Sequence, residues 1–137
     1  MEDRGPREGP DDPDPPEDEV ARPTAAEVSE AIRRDILAIH RDSYGRGADR
    51  IEAHVLDDTV FVILDGIELL PNEEFLIESG RGEAVVGLRR HFQEAIETTF
   101  RAAVERATGR RVRGFASLVE LDDAPPFVVE IFRLEPK

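Results

Sequence analysis

The sequence predicts an α+β domain of order α-ββ-αα-ββ, a small, mostly antiparallel four-stranded sheet with helices packed on one face. Three observations predict it. Strand-like runs arrive in adjacent pairs, Ile51–Leu56 with Thr59–Leu64 and Arg111–Leu121 with Phe127–Leu134. Short turn-forming links join the members of each pair, which makes them antiparallel neighbours. Segments with apolar residues at helical spacing lie before and between the pairs, and layered packing then sets helices against the sheet.

The elements follow in chain order. Residues 1–22 hold nine acidic residues against three arginines, many prolines and almost nothing to bury. Such a segment cannot offset its ordering entropy, so it is expected to be a disordered acidic tail. Residues 23–137 are read as one domain. Thr24-Ala25-Ala26-Glu27 has the form of a capping box. Val28, Ile32, Ile36 and Ile39 follow at helical spacing, placing a helix over Ala25–Asp42 that stops at Gly45 and Gly47. Asp57-Asp58 is the turn of the first hairpin, whose second strand is apolar on both faces and therefore the more central. Pro71 suits the first turn of a short helix over Asn72–Ser79, ended by Gly80. Val85, Leu88, Phe92, Ala95, Ile96, Thr99, Ala103 and Ala107 form one stripe of a single long helix closed by Gly109. Asp122–Pro126 joins the last two strands. A single four-stranded sheet leaves one face and two edges to manage, and both are expected to go to a homodimer partner.

Composition narrows the function classes. The chain has 137 residues, 39% of them apolar, enough for one ordinary core. It has no cysteine, which excludes disulfides, thiolate catalysis and Cys-based metal or cluster sites. The net charge is −13, of which the first 22 residues contribute −6 (nine acids, three arginines). With both parts acidic, neither nucleic acid nor an anionic membrane surface is an expected partner. The acidic, Pro-rich start is the opposite of a signal peptide, and no window reaches the roughly 18 apolar residues of a membrane span. A cytoplasmic protein without direct membrane insertion is expected.

Catalytic and metal signatures are weak. His40, His54 and His91 match no zinc spacing, and none of the serines sits in a Gly-x-Ser-x-Gly elbow. These histidines read as ordinary surface or half-buried residues. The pairs Asp57-Asp58, Glu73-Glu74 and Asp122-Asp123 read as solvated turn residues. No metal, no cofactor and no enzyme activity are expected. The candidate anion-binding residues are arginines beside glycines: Arg46 between Gly45 and Gly47, Arg81 between Gly80 and Gly82, and Arg111 and Arg113 on one face of the third strand. A helix start such as the one after Arg81 favours an anion. The competing reading makes Gly80 a helix cap and pairs the arginines with surplus carboxylates, and it is preferred.

Several segments taken together resemble the MpsC-like family, also called the DUF2294 domain. They are Ile36-Leu37-Ala38-Ile39-His40 leading to Tyr44-Gly45-Arg46-Gly47, then Val60–Leu64, Glu73, Gly80-Arg81-Gly82 with Arg89 in the following helix, Thr108–Val112 and Val129–Leu134. The resemblance covers about residues 26–136. Ala48 replaces the family's proline after Gly-Arg-Gly, and Leu70 stands where the family has a threonine that caps the short helix. The resemblance implies a small accessory or regulatory component of a sodium-translocating, membrane potential-generating, bicarbonate-linked system. It implies action through protein contacts, including a membrane transport subunit, and no catalytic residues. The alternative is a module that binds a small anion, bicarbonate or a carboxylate, through Arg46, Arg81, Arg111 and Arg113.

Overall fold

In the computed structural model, residues 22–45, 47–122 and 124–137 are described. The expected tail and the candidate Arg46 therefore fall outside them, apart from Arg22. The elements are α1 (Ala25–Tyr44), β1 (Ala48–Leu56), β2 (Thr59–Ile67), α2 (Pro71–Glu78), α3 (Gly82–Ala95), α4 (Glu97–Thr108), β3 (Val112–Glu120) and β4 (Phe127–Leu134). The sheet order is β1-β2-β4-β3 and every neighbouring pair is antiparallel. The α-ββ-αα-ββ order and the α+β class are those the sequence predicts.

Local chemistry explains the element ends. Thr24 Oγ1 accepts from the Glu27 N–H at 3.1 Å, and Glu27 Oε1 accepts from the Thr24 N–H at 2.8 Å. Both orphan donors of the first turn are thereby met. Helix α1 runs two residues past its expected end, to Tyr44, before Gly45 closes it. Helix α2 begins at Pro71, with half a box: Leu70 has no capping hydroxyl, but Glu73 Oε1 accepts from the Leu70 N–H at 2.8 Å. At its other end Gly80 has φ +80°, and the N–H groups of Gly80 and Arg81 donate to the carbonyls of Ile77 and Leu76. That closure needs a left-handed residue, hence glycine.

The long helix is not continuous. It divides at Ile96, whose ψ of 14° leaves the helical range and starts a new helix. The β-branched residues Ile96, Thr98 and Thr99 cluster at the break, where helix propensity is lowest. The two halves also bury different stripes. In α4 these are Phe100, Ala103 and Val104; in α3 they are Val85, Arg89 and Gln93. Leu88, expected in the core stripe, is instead 61% exposed.

The core sits between the helices and one face of the sheet. Ile32 and Ile36 of α1, Phe100, Ala103 and Val104 of α4, and Val60, Val62, Leu64, Val128, Phe132 and Leu134 of the central strands are buried completely. Alternation along β2 and β4 turns Phe61, Ile63, Val129 and Ile131 to the other face, where they are only half-buried. At the end of β2, Gly66 has φ +69°, and a Cβ there would meet the Asp49 side chain at 2.5 Å. No helix among the described residues is long and apolar enough to cross a membrane.

Candidate functional site

Polar side chains from four elements enter the interior at one end of the helical layer. Arg89 of α3 reaches Glu73 of α2 with a two-pronged contact, Nε to Oε2 and Nη2 to Oε1, both 2.8 Å. The side chains are each 4% exposed. The Arg89 guanidinium also lies 4.4 Å over the ring of Tyr44, at the last turn of α1. Tyr44 in turn packs on Phe92 with centroids 4.4 Å apart. A cation held between a carboxylate fork and an aromatic face is well matched in charge and shape.

The electrostatics follow from this packing. Burial alone would raise the Glu73 carboxyl, but the Arg89 hydrogen bonds, the Leu70 N–H and the Arg89 charge outweigh it and hold Glu73 below its ordinary value. Burial raises the Tyr44 hydroxyl, against the lowering effect of Arg89. Glu73 was expected to be a solvated carboxylate beside Glu74; the arginine sixteen residues later in the chain brings it inside instead.

A second pair lies deeper. His40 of α1 and Glu130 of β4 meet at 2.9 Å between Nε2 and Oε2, with side chains 3% and 0% exposed. The His40 ring stacks on Phe100 at 5.5 Å. Glu130 Oε1 has no hydrogen-bond partner, nor do Gln93 Oε1 and the Tyr44 hydroxyl. His40 is thus more deeply buried than the surface or half-buried position expected of it. His54 and His91 are exposed and lie beside Glu52 and Glu94. Among the described residues no three histidine or acidic side chains converge as they would around a metal.

The expected anion-binding arginines lie elsewhere. Arg81 is exposed at the start of α3, and its backbone N–H is taken up in closing α2. Arg111 and Arg113 are exposed at the entry to β3, where Arg113 Nε donates to the Leu134 carbonyl at 3.4 Å. Their neighbour Arg110 does line a concavity, as do Arg22 in the same cleft and Arg50 in another. A cleft of about 440 Å³ opens between the start of α1, the β1–β2 turn and the C-terminus, and its walls include Arg22, Arg110, Lys137, Val55 and Leu134. Arg110 donates to the carbonyls of Asp57 and Glu135 and to the carboxylate of Asp58, clamping the hairpin turn to the last strand.

His40 and Tyr44 of α1, Glu73 of α2, Arg89 of α3 and Glu130 of β4 come from four elements, and all five fall within the segments that carry the family resemblance. A family model described as Na+-translocating membrane potential-generating system (MpsC) matches residues 24–135. The chain belongs to the MpsC family. The matched span takes in all four helices and all four strands of the described residues. No curated protein and no solved structure matches the chain. Gln93, also buried among them, lies outside those segments and outside the apolar stripe drawn from the sequence.

Proposed function

We propose that this MpsC domain is a non-enzymatic accessory or regulatory component of a membrane potential-generating system, and that it works through protein contacts with a membrane transport subunit. The observation that carries this reading is where the reactive groups lie. The best acid–base pair, His40–Glu130, and the strongest cation–anion pair, Glu73–Arg89, have side chains at most 4% exposed, beneath the helices. A catalytic acid or base must come within hydrogen-bonding reach of a substrate, and these groups are occupied with each other. Large apolar side chains stand outside instead. Phe75 on α2 and Leu88 on α3 are 68% and 61% exposed, on two helices that pack together. Apolar anchors of this kind, surrounded by charge, are what a protein interface uses.

The test is co-purification of the tagged full chain from detergent-solubilised membranes of its host. The wild type is expected to retain an integral transport subunit, and the folded Phe75→Asp/Leu88→Asp variant to lose it. Retention of no membrane protein by the wild type, or undiminished retention by the variant, would sink the reading.

The small-anion alternative has one observation in its favour, the three cations Arg22, Arg110 and Lys137 around the terminal cleft. Against it, Arg110 is already engaged by three acceptors. Calorimetric titration with bicarbonate, showing heat that Arg81→Ala or Arg110→Ala abolishes, would restore it.

A further inference from the structure

The helices cover one face of the sheet, and among the described residues nothing covers the other. Register places its side chains in rows across the four strands. One row is His54, Phe61, Ile131 and Ala116; the next is Glu52, Ile63, Val129 and Leu118. A third is Arg50, Asp65, Phe127 and Glu120. The middle of this face is therefore aliphatic and aromatic, with Leu118 49% exposed and the central residues half-buried by one another alone. Its charged members are Arg50, Arg133, Glu52, Asp65 and Glu120, two positive and three negative, a net of −1 on a chain of −13.

The geometry points to a second copy of this chain as the occupant of that face, in a face-to-face dimer whose two-fold axis runs along the strands. Three arguments select the second copy. The first is area: four strands spaced about 4.8 Å and some eight residues long present roughly 500 Å² of flat sheet, more with side-chain relief. A standard interface takes about 800 Å² per partner, so the face is of the right order.

The second is complementarity. Rotation about an axis along the strands lays β1 of one copy over β3 of the other and keeps each row in place. Arg50 then faces Glu120 of the other copy, Phe61 faces Ile131, and Ile63 faces Val129. Among the described residues Arg50 is held at home by exposed contacts to Asp65 and Glu52 at 3.3 and 3.4 Å, so it is available to re-pair. The third argument concerns the chain's own N-terminal segment. Residues 1–21 carry nine acids and two arginines and, besides prolines and glycines, only Met1, Val20 and Ala21 as apolar residues. They cannot replace the water over an aliphatic sheet. Two sheets packed face to face lie about 10 Å apart, giving a four-layer α/β/β/α particle.

This dimer goes beyond the accessory reading and does not depend on it, since Phe75 and Leu88 lie on helices of the opposite layer. The test is the solution mass of the full chain by sedimentation or light scattering across a concentration series, with folding checked by circular dichroism. The wild type is expected at twice its 15.3 kDa chain mass. Ile131→Arg should raise the dimer dissociation constant about tenfold or more, as expected when a buried charge enters an apolar interface. Arg50→Glu should weaken the dimer, and Arg50→Glu/Glu120→Arg should restore it. A monomeric wild type would overturn the proposal. So would a dimer indifferent to both Ile131→Arg and the charge reversal, because its interface would then lie elsewhere. Loss of the membrane subunit, but not of dimer mass, on Ile131→Arg would assign the face to another protein and overturn it equally.

Discussion

The two buried polar pairs sit in one interior and are built differently. Glu73–Arg89 joins two neighbouring helices, and both carboxylate oxygens are engaged, one of them twice. His40–Glu130 joins a helix to the central sheet through a single 2.9 Å contact and leaves Oε1 of Glu130 unmet. The first is complete within itself, so its charges need nothing more from the fold. The second depends on what surrounds it: Glu130 stands on a strand whose position is set by neighbours on both sides, and His40 is held flat against Phe100. A buried charge pair is costly to create and costlier to break, and the difference between the pairs shows where breaking hurts most.

The largest effect is expected from Glu73→Ala. It leaves the Arg89 guanidinium buried with only an aromatic face for company, and should cost about 3–5 kcal/mol in urea unfolding. That is a large share of the 5–15 kcal/mol typical of a whole domain. Replacing both members, Glu73→Leu with Arg89→Met, should recover most of the loss or exceed the wild type, because no charge is then stranded. A double variant as unstable as the single would break the claim that this pair is complete within itself.

Glu130→Leu comes next. It removes the unmet oxygen along with the one His40 uses, so the gain and the loss partly cancel. The unpartnered His40 should cost about 1–3 kcal/mol by the same measurement. A loss equal to that of Glu73→Ala would mean that Glu130 carries more of the structure than one contact shows.

The smallest effect is that of acid. Glu73 is held below its ordinary value in the folded chain, so as pH falls the unfolded chain takes up the proton first. The pair's contribution is full above the ordinary carboxylate value of about 4.3 and is lost as pH drops through the lower, folded value. The loss should be smaller than for either substitution, since a protonated carboxyl still accepts from Arg89. Glu73→Gln should flatten this acid limb of the stability profile; an unchanged limb would assign it to other carboxylates.

Local signals were legible in the sequence wherever the deciding partner lies nearby in the chain. The Thr24–Glu27 box, the Asp57-Asp58 turn, and the ends of β4 at Phe127 and Leu134 all appear as read. The interior array was not legible as an array, because its contacts join residues far apart. His40 and Glu130 are ninety positions distant, and neither carries any sign of the other. The same cause explains Leu88 and Arg89. A stripe drawn by hydropathy places the leucine inside, yet the buried face lies one residue further on, where Glu73 supplies the compensation that lets an arginine enter. The family segments name five members of the array without showing that they meet. Arg110 directly follows Gly109, and a shared strand face pointed past it to Arg111 and Arg113; its role depends on the hairpin turn and the C-terminal residues, which are distant in the chain.

The cleft that Arg110 walls has a consequence for connectivity. Arg22, Pro23 and Lys137 all line it, so the described residues begin and end at one place. Val55 and Leu134, which share the cleft, belong to the helix-covered side of the sheet. The path of the backbone is therefore nearly a closed ring, tied where its ends meet by the Arg110 clamp on Asp57, Asp58 and Glu135. Whatever is joined to either end emerges at the same corner, on the side away from the bare strands, and two linked neighbours in a larger assembly would leave that face clear.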